Sequence, residues 1–155
     1  MISANMKAFL DMIANSEGTA GKGDDGYNVV VGGALFMDYS KHPNIKVFIK
    51  RINDYSTAAG RYQLLYRYWE TYRKQLGLDK CKDGAFGKTA QDLIAIQQIK
   101  ECRAIDDIEN GRFDAAVKKC SRIWASLPGA GYGQHENTIE TLKTAYINAG
   151  GSIAV

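Results

Sequence analysis

Apolar residues recur at helical spacing at both ends of this chain and at strand spacing in a short stretch between. Met6, Phe9, Leu10 and Ile13 lie three and four residues apart, which predicts an amphipathic helix ending near Ser16 or Glu17. "YNVVV", "GG" and "ALFMDY" then read as strand, glycine turn and strand, because paired glycines accept the positive φ of a tight hairpin. In "NIKVFIKRI", Ile45, Val47 and Ile49 alternate with Lys46 and Lys50, the pattern of a third strand. From Ser56 onward the period returns to that of helices. Tyr62, Leu65, Trp69, Tyr72 and Leu76 form one face, and "AQDLIAIQQIKECRAIDDI" carries a second stripe. Phe113, Ala116, Val117, Cys120, Ile123 and Trp124 make a third, stopped by Pro128 and Gly129. A last helix built on Ile139, Leu142 and Tyr146 ends at Gly150 and Gly151. The fold expected is α+β: mostly helical, with a small antiparallel sheet lobe inserted after the first helix and a cleft between the lobes.

Composition narrows this. A chain of 155 residues with 45% hydrophobic content is long enough for one core. No Pro-rich or Ser/Gly-rich linker and no repeat divides it, so a single domain spanning 1–155 is expected. Lys and Arg total 20 against 17 Asp and Glu, and the resulting +3 is spread along the chain. That predicts weak attraction to anionic surfaces and no nucleic-acid partner. The start, "MISANMKAFLDMIANSE", lacks the charged head and unbroken apolar run of an export signal, and no stretch is apolar enough to span a bilayer. Synthesis and folding in a cytosol, without membrane insertion, is the expectation.

Cys81, Cys102 and Cys120 are odd in number and have no CxxC spacing or neighbouring His, so neither a disulfide framework nor a metal site is encoded. Cys120 lies on an apolar stripe and reads as core, while His42 and His135 read as loop side chains. No cofactor is expected.

Glu17 is the residue with chemistry to offer. It falls where the first helix gives way to "GTAGKGDDG". A carboxyl at a helix C-terminus meets the negative end of the macrodipole, and partial burial also disfavours its charged form; both raise its pKa. A group that stays protonated near neutrality can donate to a glycosidic oxygen. The plainer alternative is a solvated glutamate ahead of a glycine cap.

The wider pattern decides between these. "KAFLDMIANSEGT", "GYNVVVGGALFMDYSKHP", "AGRYQLL", "YRKQLGL", "QQIKE" and "IWASLPGAGYGQ" resemble, in order from Lys7 to about Gln134, the endolysins of bacteriophage lambda and its relatives. The resemblance implies a lysozyme-like fold and a monomeric peptidoglycan lytic transglycosylase. Such an enzyme cleaves the β-1,4 bond between N-acetylmuramic acid and N-acetylglucosamine and leaves a 1,6-anhydromuramyl end. It also implies that the glutamate of "SEGT", Glu17, is the single catalytic acid. Its partner would be the glycan strand, and its route would run from the cytoplasm of an infected bacterium through a holin to the periplasm and wall.

Two other blocks suggest substrate contacts. "AGRYQ" places Gly60 and Gln63 at a predicted helix start, resembling the Gly-and-Gln element that lines clefts in related transglycosylases. "GAGYGQ" flanks Tyr132 with glycines, leaving an aromatic ring free to stack on a sugar. Trp69 and Trp124 read as core, and Tyr27 and Tyr39 are open to either role. The lambda sequence has Asp where this chain has Asn28, a position read here as structural.

Two alternatives stand beside this reading. A hydrolytic muramidase acting on the same bond would need a second carboxylate from Asp24, Asp25, Asp38 or Asp54. The Asp and Thr that T-even phage lysozymes carry after their Glu fall here on Gly26 and Gly32, and Asp24 and Asp25 read as solvated loop charges. An inactive wall-binding module is the other.

Overall fold

The computed structural model describes residues 2–129 and 137–154. In chain order the described residues form α1 (Ala4–Glu17), β1 (Val47–Ile49), β2 (Asp54–Ser56), α2 (Tyr66–Leu76), α3 (Lys88–Glu101), α4 (Ile105–Glu109), α5 (Phe113–Cys120) and α6 (Ile139–Asn148). They divide into two compact units, Met1–Gly18 with Ala95–Val155, and Thr19–Ile94.

The first unit is built around α1. Ser3 caps its N-terminus, accepting from the Met6 N–H at 3.0 Å. The helix is apolar on more than one face: Met6, Ala8, Phe9, Leu10, Met12, Ile13 and Ala14 are all buried. Phe9 meets Phe113 and Tyr146 edge-on at 6.2 and 6.4 Å. Burying each such ring is worth about 2–3 kcal/mol, so this trio anchors α1 against α5 and α6. Gly151 lies under the Tyr146 ring, where a Cβ would overlap it. The C-terminal segment returns past α1 and α4. Ser152 N–H donates to Asn5 Oδ1 at 3.0 Å, and Asn5 Nδ2 donates to the Ile108 carbonyl at 2.9 Å. Buried Asp107 is neutralised by Lys119 at 2.6 Å and Arg112 at 2.8 Å.

In the second unit Val30, Phe36, Ala59, Leu64, Trp69, Leu78, Phe86, Ala90 and Ile94 form the core. Trp69 is the buried anchor of α2 and donates its indole N–H to the Ala85 carbonyl at 3.0 Å. β1 and β2 pair antiparallel, Val47 opposite Ser56 and Ile49 opposite Asp54.

Several elements differ from the sequence expectation. Residues 27–39 turn back on themselves but form no regular strand: Val29 bridges Leu35, while Val30 bridges Ala59. Neighbouring residues thus pair with different segments, and Gly32 and Gly33, at φ 90° and 106°, turn the chain too soon for a ladder. The third strand forms only at Val47–Ile49, and its partner β2 lies in a segment whose polar residues hid it. Tyr62 sits in the turn before α2, not on it. The apolar stripe of "AQDLIAIQQIKECRAIDDI" is broken at Arg103, φ 59°, into α3 and α4. α5 ends at Cys120, well ahead of Pro128. Cys120, Trp69 and Trp124 are core, as their periodicity indicates.

His42 does lie in a loop, yet it is only 2% exposed and packs on Phe86 at 4.7 Å between ring centroids. Its Nδ1 accepts from the Asn44 N–H at 3.0 Å, so Nε2 carries the proton and donates to the Leu64 carbonyl at 2.8 Å. Burial lowers its pKa, with the Leu64 bond opposing. The unfolded chain therefore binds a proton more readily than the folded one, and stability falls as pH drops below about 6.5, the unfolded value. Thermal melts from pH 7.5 to 5 are expected to show a steeper loss in the parent than in His42→Gln, which keeps a donor but cannot titrate.

Candidate active site

Glu17 closes the last turn of α1. Gly18 follows at φ 79° and donates its N–H back to the Ala14 and Asn15 carbonyls. This left-handed cap favours glycine and sets where α1 stops, hence where the carboxyl emerges. Burial lifts the Glu17 carboxyl above the ordinary carboxylate range, and a hydrogen bond from Ser126 pulls the other way. The helix C-terminus also disfavours negative charge there.

Among the described residues the bonds around this carboxyl run through three side chains. Ser126 Oγ donates to Glu17 Oε2. Ser126 Oγ and Ser16 Oγ are 2.7 Å apart. Asn137 Nδ2 donates to Ser16 Oγ and to the Ser16 carbonyl, each at 3.1 Å, while Asn137 N–H donates to the Ser126 carbonyl at 2.9 Å. Sequence reasoning passed over all three. Ser16 precedes Glu17 in "SEGT" and Ser126 stands in "IWASLPGAGYGQ", but hydroxyls and amides give no periodic signal of what they bond.

Gly60 and Gln63 do not open a helix. They occupy the turn between the bridged residues Ala59 and Leu64. Gly60, at φ 85°, donates to the Val29 carbonyl at 2.9 Å, and a Cβ there would strike the Gln91 side chain. Gln63, itself at φ 55°, commits its amide nitrogen to the carbonyls of Gly60 at 2.9 Å and Val29 at 3.2 Å. Any glycan contact from this side chain therefore falls to Oε1. Tyr132 and His135 lie outside the described residues.

The carboxylates weighed as partners for hydrolysis each have local work. Asp24 is held well into its ionised range by Lys88 at 2.9 Å and by the Tyr39 hydroxyl at 2.7 Å. Asp25 accepts from the Gly21 N–H at 2.9 Å and pairs with Arg61 at 3.4 Å, so neither is simply solvated. Asp38 accepts from the Ser40 N–H at 2.8 Å and Asp54 from the Tyr55 N–H at 2.7 Å. Tyr27 is structural: its hydroxyl donates to Asp92 at 2.9 Å, Arg61 and Lys88 lie against its ring, and burial, then Asp92, push its pKa up to about 12. Tyr39 is tied to Asp24 in the same unit. The buried amide of Gln91, another residue that sequence reasoning missed, clamps this region. Its Oε1 accepts from Arg61 N–H at 2.8 Å, and its Nε2 donates to the Tyr27 and Phe86 carbonyls at 2.9 and 2.8 Å.

The model of the Endolysin family matches residues 7–153. The endolysin of Escherichia phage lambda is 50% identical over 156 residues, covering 98% of this chain and 95% of that protein. The endolysin of Escherichia phage P2 is 49% identical over 160 residues, covering 95% and 93%. Bacteriophage lambda lysozyme, solved in complex with a chitohexasaccharide, superposes with a TM-score of 0.92 at 48% identity over 99% of each chain. A second structure of lysozyme from bacteriophage lambda gives 0.88 at 47% identity. The fold is that of the phage lysozymes of the lambda type, α+β with a small antiparallel sheet. The chain belongs to the endolysin family. It is a peptidoglycan-cleaving enzyme of host cell lysis.

Asn28 supports the structural reading made of it. Its Oδ1 accepts from the Asp24 N–H at 2.8 Å and its carbonyl from the Phe36 N–H at 2.9 Å. A carboxylate can accept the same bond, so Asn28→Asp is expected to keep the rate of wall clearing within about twofold. Asn28→Ala leaves that N–H without its acceptor and is expected to cost roughly 1–2 kcal/mol, read from the urea midpoint.

Proposed function

We propose that this endolysin is a lytic transglycosylase in which Glu17 is the single catalytic acid. The observation that carries the reading is the environment of that carboxyl: lifted in pKa by burial, yet held by a hydroxyl that stabilises its ionised form. Such a group can give up a proton and then accept one.

In the first half-reaction Glu17 protonates the glycosidic oxygen, and the bond from that oxygen to C1 of the muramyl residue breaks. The 6-hydroxyl oxygen of the same residue bonds to C1, and the Glu17 carboxylate takes the hydroxyl proton. The products are a 1,6-anhydromuramyl end and a free sugar hydroxyl. No water is consumed. A retaining hydrolase holds a second carboxyl about 5 Å from the first to serve as nucleophile. Here the tethered 6-hydroxyl takes that place through its high effective concentration. The local commitments of Asp24, Asp25, Asp38 and Asp54 favour the single-acid reading.

Gly60, Gln63 through Oε1 and Tyr132 complete the proposed contacts to the glycan strand. The enzyme acts as a single-domain monomer, without nucleic acid, cofactor or membrane insertion. It is made in the cytoplasm of the host and passes through a holin to the wall. Among the described residues no helix is long and apolar enough to cross a membrane.

Digestion of peptidoglycan in ¹⁸O-labelled water, followed by mass spectrometry, tests the reaction. Anhydro ends without label are expected; labelled reducing ends would establish hydrolysis in its place. Glu17→Gln is expected to lower the rate by about 10²–10⁴-fold. Because folding raises the Glu17 pKa, the parent loses stability as pH rises above the unfolded value of about 4.3 through the folded one. Glu17→Gln removes that loss, so the variant should melt higher than the parent at neutral pH.

A further inference from the structure

Resting on the reading of Glu17 as the acid, we propose that Ser126 is its positioning residue. It is the last link of a hydrogen-bond chain from Asn137 through Ser16 that holds the carboxyl with its proton on Oε1. The chain has a preferred direction. An amide nitrogen can only donate, and Asn137 Nδ2 donates to Ser16 Oγ at 3.1 Å. With a lone pair so engaged, the Ser16 hydroxyl is biased to donate to Ser126 Oγ, 2.7 Å away. The one hydrogen of Ser126 is then committed to Glu17 Oε2.

A carboxylic acid whose Oε2 accepts from Ser126 carries its own proton on Oε1. Reversal of the chain would turn the Glu17 proton toward Ser126, where it could not reach a substrate. The same hydroxyl moderates acidity. Burial favours retention of the proton, and the Ser126 bond opposes it by stabilising the carboxylate that transfer leaves behind.

The links are rigid. Ser16 is on α1, and Asn137 precedes Thr138, whose side chain caps α6. Charged groups on the helices packed against α1 are engaged elsewhere or exposed. Asp107 pairs with Lys119 and Arg112, and Glu109 accepts from Ser3 at the far end of α1. Lys143 pairs with Asp114, while Asp106 and Glu140 bear no part in the shift of Glu17, whose causes are burial and Ser126.

The test reads Glu17 directly. Protein labelled with ¹³C at the glutamate carboxyls is titrated by NMR, the Glu17 signal being identified by its absence in Glu17→Gln. In Ser126→Ala the Glu17 titration is expected to move to higher pH and to carry the alkaline limb of the activity profile with it. kcat should fall on the order of ten- to a hundredfold with KM within about twofold. Ser126→Thr, which restores a hydroxyl, should return both titration and kcat toward the parent. An unmoved Glu17 titration in Ser126→Ala, or Ser126→Thr as impaired as Ser126→Ala, would overturn the proposal. Persistent activity of Glu17→Gln would instead sink the assignment of the acid, an outcome that the titration itself does not depend on.

Discussion

A carboxyl whose pKa is raised by burial sits in an environment hostile to charge, and here that environment is the end of a helix buried on most of its faces. α1 carries Phe9, Met12 and Ile13 into the first unit with no measurable exposure. Burial that deep leaves the helix little freedom to shift, so its C-terminus is a fixed point. Gly18 ends it with a left-handed residue, and Glu17 stands half-buried at the negative end of the macrodipole. Packing energy gained along the whole of α1 thus supports an unfavourable placement at its last residue. The Phe9, Phe113 and Tyr146 rings and the Asn5 bonds at the other end of the helix belong to the same device as the carboxyl.

The second unit meets a different demand. Its segment from Thr19 to Tyr39 has almost no regular secondary structure, so its backbone groups depend on side chains. Gln91, Arg61 and Asn28 meet that need, Gln91 alone bonding one backbone N–H and two carbonyls. Arg61 extends along the loop to the Asp25 carbonyl at 3.0 Å and lies over Tyr27 and Tyr62. Charges that resemble catalytic candidates in the sequence are consumed in this way. Asp24 between Lys88 and Tyr39 is an example: its low pKa suits a structural anion, not a proton donor.

What was legible in the sequence follows from what periodicity can encode. The apolar spacing of Met6, Phe9, Leu10 and Ile13 located α1 and its end near Glu17, because the buried positions of a helix recur at three- and four-residue intervals. It also marked Trp69, Trp124 and Cys120 as core. Residues 27–39 were read as a hairpin because "VVV" and "GG" have the composition of one; the structure uses those valines to bridge two different segments, which composition does not express. The break between α3 and α4 at Arg103 was invisible because the apolar stripe continues across it. At the candidate site Glu17 was legible as the proposed acid from its helix-end position and the family pattern around it. Ser16, Ser126 and Asn137 were not, because a hydrogen-bond chain joining residues about 110 and 120 positions apart depends on the tertiary fold alone.

The single-acid reading also accounts for an asymmetry between the two units. A hydrolase with two carboxyls must keep one protonated and the other ionised, which requires two opposed environments built side by side. Burial raises the pKa of Glu17, whereas Asp24 and Asp38 are held below the ordinary carboxylate range, and among the described residues the groups bonded around Glu17 are neutral hydroxyls and an amide. Neutral donors adjust a proton's affinity without fixing the charge of the group they touch, as a lysine or arginine would. A residue that must pass from acid to base within one reaction is best held by such partners, and Lys88 shows the contrast by holding Asp24 ionised. The replacement of a carboxylate by the amide of Asn28 fits the same logic, since that position supplies an acceptor to the Asp24 N–H and no charge is asked of it.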